Sequence, residues 1–172
     1  SHIMERYFTK TPDVEFTSTE AEGALRVIME NALKIKDNPK SYAAWAEVAL
    51  AGTFAHCGFF GLGHEEDWAC HGMEHALSGW VDTITHGAGL AILTPAWMRY
   101  VWRENPARFL KFALQVFDIE PIDETDEAIE DAVTAAIDEL QAFFVDLGMP
   151  RTLGDVGGKA EDIPELAVNV GS

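Results

Sequence analysis

The stretch Asp67-Trp-Ala-Cys-His-Gly-Met-Glu-His-Ala-Leu-Ser-Gly-Trp80, running on to Thr85-His86-Gly-Ala-Gly-Leu90, decides how this chain is read. It concentrates His71, His75 and His86 in one short span, with the carboxylate of Glu74 beside them. His71 and His75 are four apart, so on a helix they lie one turn above the other. Ser78-Gly79 and Asp82-Thr83 suggest a break before His86, and Gly87-Ala-Gly89 then offers small residues that let two backbones approach closely. Such spacing suits a metal site built between two helices. Imidazole ligands suit iron, zinc, nickel or copper. A ligating histidine is neutral and is held by an acceptor through its other ring nitrogen. Glu74, Asp67 and Asp82 are the candidates for that acceptor. A bare HxxxH pair also suits histidines with no metal role, so the residues alone leave both readings open. It is not HExxH, and no glutamate stands where a zinc protease needs its base.

Outward from this stretch the pattern is helical throughout. Ser1-His-Ile-Met-Glu-Arg-Tyr-Phe8 has the look of the tail of a helix, and a loop follows, with Pro12 disfavouring helix just before it. Thr17-Ser-Thr-Glu20 fits a capping box. It predicts a helix from there through Leu25, Ile28, Met29 and Leu33, stopped by Lys36-Asp-Asn-Pro39. Ser41 should cap the next helix, which carries Ala44, Trp45, Val48 and Phe54. Gly58-Phe-Phe-Gly-Leu-Gly63 is a glycine-rich apolar turn without the Lys-Ser/Thr ending of a phosphate loop. A helix from about Gly87 contains Pro95, which removes one backbone bond and should kink it. Asn105-Pro106 opens another, and a long amphipathic helix from Ala128 to Leu147 ends at Gly148-Met-Pro150. A short acidic helix covers Glu161–Ala167. No sustained period-two alternation is present, so the expected fold is an all-α bundle of about seven helices.

Composition narrows the function. The chain has 172 residues, 48% of them hydrophobic, enough for one domain with a sizeable core. Twelve basic against 29 acidic residues give a net charge of −17, which disfavours nucleic acid and anionic membranes as partners. No apolar run is long enough to span a bilayer and no secretory signal is evident. Two cysteines, Cys57 and Cys70, without a CxxC pair, point to reduced thiols in a cytoplasm. Cys70 is expected to be a small core residue rather than a ligand. A ferritin- or hemerythrin-like centre is disfavoured, because those need several inward Glu and Glu-x-x-His pairs, and only Glu74 stands near the cluster.

His71-Gly-Met-Glu-His75 followed by His86-Gly-Ala-Gly-Leu-Ala-Ile-Leu-Thr-Pro-Ala-Trp-Met-Arg-Tyr-Val101 closely resembles the iron-containing (group III) alcohol dehydrogenases, specifically their butanol dehydrogenase-like branch. The likeness extends back to Ser1–Phe8 and Thr11-Pro-Asp-Val14, and forward to Leu153 and Asp162-Ile-Pro-Glu-Leu166. It implies that residues 1–172 form a single all-helical metal-binding domain like the dehydroquinate synthase-like C-terminal domain of that family. The N-terminal nucleotide-binding domain would be absent and the C-terminal end trimmed. It implies His2, His71 and His86 as metal ligands. The family's aspartate ligand would fall four residues before His2. His75 becomes the non-ligating histidine that relays a proton. The span from His71 to His86 is one residue longer than usual in the family, the extra residue falling in Val81-Asp-Thr-Ile84.

The implied metal is Fe(2+) first, with Zn(2+) or Ni(2+) also accepted by such a donor set. The implied cosubstrate of the intact enzyme is NAD(P), its substrate an alcohol or aldehyde, and its assembly a homodimer. Trp68, Phe59 and Phe60 are candidates for the walls of an apolar substrate pocket, or equally for plain core. The competing reading is a non-catalytic helical structural or oligomerisation domain with an incomplete metal site.

Overall fold

A computed structural model describes residues 1–170. Among these there are eight α-helices, four short 3₁₀ turns and no strand. The helices are α1 (His2–Tyr7), α2 (Glu15–Asp37), α3 (Tyr42–His56), α4 (Ala69–Trp80), α5 (His86–Val101), α6 (Pro106–Phe117), α7 (Asp126–Asp146) and α8 (Ile163–Asn169). None is long and apolar enough to cross a membrane. The chain divides into two compact units, one of Ser1–Asp67 with Trp102–Ala136, the other of Trp68–Val101 with the chain from Ile137 onward. The division falls inside α7.

In the first unit, α2 packs on α3 and α6, and the six-residue α1 rests on α2. A helix that short has no stability of its own in water. It is held by burial of Ile3, Met4 and Tyr7 and by the stack of Phe8 on Phe109, with centroids 4.2 Å apart. Tyr7 is fully buried, and its hydroxyl donates to Glu22 Oε1 at 2.7 Å. Burial, followed by the Glu22 bond and charge, pushes the Tyr7 pKa far above its ordinary value, against a smaller opposing pull from Arg108.

One expected boundary moves. Helix α2 begins at Glu15, before the Thr17–Glu20 capping box, and Val14 precedes it with no side-chain cap. Two of the three hydroxyls in the anticipated box are engaged elsewhere. Thr17 Oγ1 donates to the Leu62 carbonyl at 3.0 Å, and Ser18 Oγ accepts from Arg108 at 2.5 Å. Tertiary partners therefore take groups that local sequence assigns to a cap. The other signals hold. The Ser41 side chain accepts from Ala44 N, and the Asn105 side chain accepts from Arg108 N with Pro106 opening α6. Asp118 ends α6 in the left-handed region, φ 57°. The Phe59–Gly61 turn is bracketed by Gly58 and Gly63 at φ 84° and 83°, where a side chain would be strained. Phe60 is buried there, and Phe59 packs edge-on against Phe54, so both phenylalanines serve the packing of this unit.

In the second unit α4 packs against α5 and α8. The buried positions of α4 are Cys70, His71, Glu74 and Leu77, a single stripe at helical spacing. Cys70 is fully buried, as expected of a small core residue. Helix α5 runs through Pro95 to Val101 and buries Leu90, Ala91, Ile92 and Met98. Ser78-Gly79 does not break α4, which continues to Trp80.

Candidate metal centre

Three of the four predicted site histidines lie in the second unit, on α4 and at the first residue of α5. The ring centroids of His71 and His86 are 5.1 Å apart. A metal–nitrogen bond of about 2.1 Å puts a ring centroid about 3.2 Å from the ion, so two imidazoles at a tetrahedral angle are about 5.2 Å apart. The His71–His86 pair fits that spacing. His71–His75 at 6.3 Å and His75–His86 at 5.7 Å would need wider angles. His71 is buried, with the Trp68 ring edge-on at 5.0 Å. His75 is exposed, so although His71 and His75 are one turn apart they meet different surroundings.

Glu74 is the least expected member. It is completely buried in the middle of the apolar stripe of α4. Its Oε2 accepts from His86 Nδ1, and its Oε1 accepts from Ser78 Oγ one turn on. Of the three carboxylates suggested as acceptors for a ligand histidine, Glu74 is the one bonded to His86. Glu74, His75 and His86 also offer one donor atom each within 4.8 Å of one another, a second grouping able to approach a cation. Both Glu74 oxygens already accept hydrogen bonds, which favours the carboxylate as a support for His86 over a ligand in its own right. Gly89 makes this arrangement possible. A Cβ there would lie 2.7 Å from Glu74 Oε1 and 2.8 Å from its Cγ, closer than side-chain carbons tolerate. The donor set, neutral imidazoles with one ring nitrogen fixed by a carboxylate, suits a divalent transition metal. The role of Ser78 is not evident from the sequence, and Gly89, expected there as a point of close backbone approach, proves to leave room for the Glu74 side chain. The trace of these roles in the sequence is the i, i+4 spacing of Glu74 and Ser78, and the glycine three residues after His86.

His75 lines a cleft of about 520 Å³ together with Gly72, Ala76 and Gly79 of α4 and Glu165 and Asn169 of α8. The small residues of α4 open this space, with the Gly72 position in van der Waals reach of Val170. Trp68 stands beside His71 rather than lining this cleft, and Phe59 and Phe60 belong to the first unit. The fourth predicted histidine, His2, opens α1 in the first unit, where its ring lies 4.3 Å from that of His56.

Comparison with known proteins places the chain in a family. Residues 1–171 match the profile of the Fe-containing alcohol dehydrogenase family, C-terminal. The chain is 38% identical over 167 residues to the probable NADH-dependent butanol dehydrogenase 1 of Bacillus subtilis, covering 97% of this chain and 42% of that protein. It is 33% identical over 169 residues to the NADPH-dependent aldehyde reductase YqhD of Escherichia coli, covering 96% of this chain and 41% of that protein. The solved structure of NADH-dependent butanol dehydrogenase A from Thermotoga maritima superposes with a TM-score of 0.89 at 39% identity, over 98% of this chain and 41% of that one. The chain thus spans about two fifths of the length of these relatives. An all-helical chain with paired imidazoles on adjoining helices, matched along almost its whole length, belongs to the Fe-containing alcohol dehydrogenase family and corresponds to the C-terminal part of its members.

Proposed function

We propose that residues 1–172 act as the metal-binding domain of an NAD(P)-dependent alcohol dehydrogenase that interconverts an alcohol and its aldehyde. The observation that carries this is the His71–His86 pair, spaced to share one ion, with His86 Nδ1 held by a buried carboxylate. His71 and His86 would hold the metal, with His2 as a further ligand by its match to the family's N-terminal ligand histidine. Ferrous iron is the expected ion. A metal held there would supply Lewis-acid polarisation of the substrate oxygen, and a nicotinamide would supply or accept the hydride. His75 does the proton work. It is exposed beside the cleft, and its imidazole can take the alcohol proton during oxidation and pass it to water, or return one during aldehyde reduction. The cleft walls from α4 and α8 orient the substrate carbon chain. The relatives named as butanol dehydrogenases and as an aldehyde reductase support a small alcohol or aldehyde as the substrate class, and a cytoplasmic homodimer is the working form proposed with it.

The experiment is metal analysis of the purified chain after anaerobic exposure to ferrous iron. One equivalent is expected, with His2→Ala, His71→Ala and His86→Ala each lowering it and His75→Ala retaining it. In the intact enzyme His75→Ala should then depress kcat with metal still bound. No stoichiometric metal in the unmodified chain would favour a structural helical domain with an incomplete site.

A further inference from the structure

We propose that Glu74 is a positioning residue that fixes His86 as its Nδ1–H tautomer, leaving Nε2 as the donor atom, and that Gly89 is required because it leaves Glu74 its space. The use of that donor by a metal rests on the function proposed above; the tautomer assignment does not.

The argument begins with the cost of Glu74. Position 74 lies on the buried stripe with Cys70, His71 and Leu77, where a helix packed on its neighbours ordinarily carries an apolar residue. A fully buried carboxylate there is costly unless its oxygens are bonded. Each oxygen has one side-chain partner, Ser78 Oγ on Oε1 and His86 Nδ1 on Oε2. An ionised carboxylate can only accept, so His86 Nδ1 must carry its hydrogen. A neutral imidazole with hydrogen on Nδ1 has its lone pair on Nε2. Without such a partner, nothing on α5 selects that tautomer.

Gly89 supplies the second, independent observation. Helix α5 would otherwise accept alanine at this position without loss. The Glu74 carboxylate and Cγ instead occupy the volume that a Cβ would need, with the Cδ carbon also only 3.1 Å away. His86 and Gly89 are three apart on α5 and so share a face. Any side chain at 89 pushes Glu74 off the oxygen–nitrogen contact with His86. Residues 74, 78, 86 and 89 therefore act together: the carboxylate, its hydroxyl support, the imidazole it orients, and the gap that admits it. The placement of both Glu74 oxygens also decides against the alternative that Glu74 itself joins His75 and His86 around a cation, because it would have to abandon both bonds to do so.

The test reads the histidine first and the metal second. Nitrogen-15 NMR of the metal-free chain distinguishes Nδ1–H from Nε2–H. His86 should show the Nδ1–H form. Glu74→Gln keeps an acceptor oxygen and should keep that form, whereas Glu74→Ala and Gly89→Ala should shift His86 toward Nε2–H. Cobalt(II) titration against a competing chelator then reports affinity. Glu74→Ala and Gly89→Ala should weaken it by about 10–100-fold, and Glu74→Gln by less. If Glu74→Ala does not fold, Gly89→Ala and Glu74→Gln still carry the comparison. An Nε2–H signal for His86 in the unmodified chain, or a tautomer indifferent to residues 74 and 89, overturns the proposal. So does Glu74→Gln losing cobalt as completely as His86→Ala, since that marks Glu74 as a direct ligand. An Nδ1–H signal that depends on Glu74, in a chain that binds no cobalt, supports the tautomer assignment and refutes the metal reading.

Discussion

Replacing Tyr7 with phenylalanine tests how α1, the short helix that carries His2, is held. The hydroxyl lost in Tyr7→Phe donates to Glu22 Oε1 at 2.7 Å, deep in the first unit. Glu22 is itself buried, and its other charged partner is Lys111 Nζ at 3.4 Å. A buried hydrogen bond to a charged acceptor is worth about 1.5–3 kcal/mol, so a loss of about 2 kcal/mol is expected near neutral pH. The pH dependence sharpens the test. Burial holds the native Tyr7 pKa well above its ordinary value of 10.0. The stabilisation is therefore complete below pH 10 and is lost as pH rises, because the unfolded chain releases this proton first. The loss proceeds at about 1.4 kcal/mol per pH unit, so the advantage over Tyr7→Phe should vanish by roughly pH 11.5. Urea unfolding of both proteins at three pH values between 7 and 11.5 measures this, and lysine titration cancels in the difference. Tyrosinate absorbance gives a second reading. Tyr7 should contribute to that signal only on unfolding, because burial holds its proton in the native chain. A stability difference that stays constant or widens with pH would show that the Tyr7 phenol is not a buried neutral donor.

Three further outcomes follow from the same structure. Asn105→Ala removes both the cap of α6 and the bond from Asn105 Nδ2 to the Thr9 carbonyl at 3.0 Å, and should cost about 1–2 kcal/mol in urea unfolding; Asn105→Asp should recover the cap alone. Phe112→Ala opens a cavity among Tyr7, Phe8 and Phe117, and a loss of about 3–5 kcal/mol is expected, enough to lower the melting temperature by many degrees. His64, whose Nδ1 faces Thr9 Oγ1 at 3.1 Å, should titrate in NMR below the ordinary imidazole value of 6.5, because burial and then the charge of Arg108 disfavour its cation while Glu66 only partly opposes them. The sign follows: the neutral ring contributes stability above pH 6.5 that is lost as the pH falls and the unfolded chain takes up the proton. A midpoint at or above 6.5 would contradict that account.

Local sequence alone determined most of the helices. Ser41, Asn105-Pro106 and Gly148 act within a turn of their own position, so their signals survive folding unchanged. The histidines were legible as a cluster because His71 and His75 share one helix and His86 opens the next. Only tertiary structure decided what the short-range patterns could not. The start of α2 moved to Glu15 because Thr17 and Ser18 found partners on the Phe59–Gly61 turn region and on α6. The fate of Glu74 depended on α5 approaching closely enough at Gly89 to bring His86 Nδ1 onto its carboxylate. A helical repeat states which residues face inward. It does not state which buried polar atoms will meet, since that depends on the register between two helices, and the side chains at the contact settle that register.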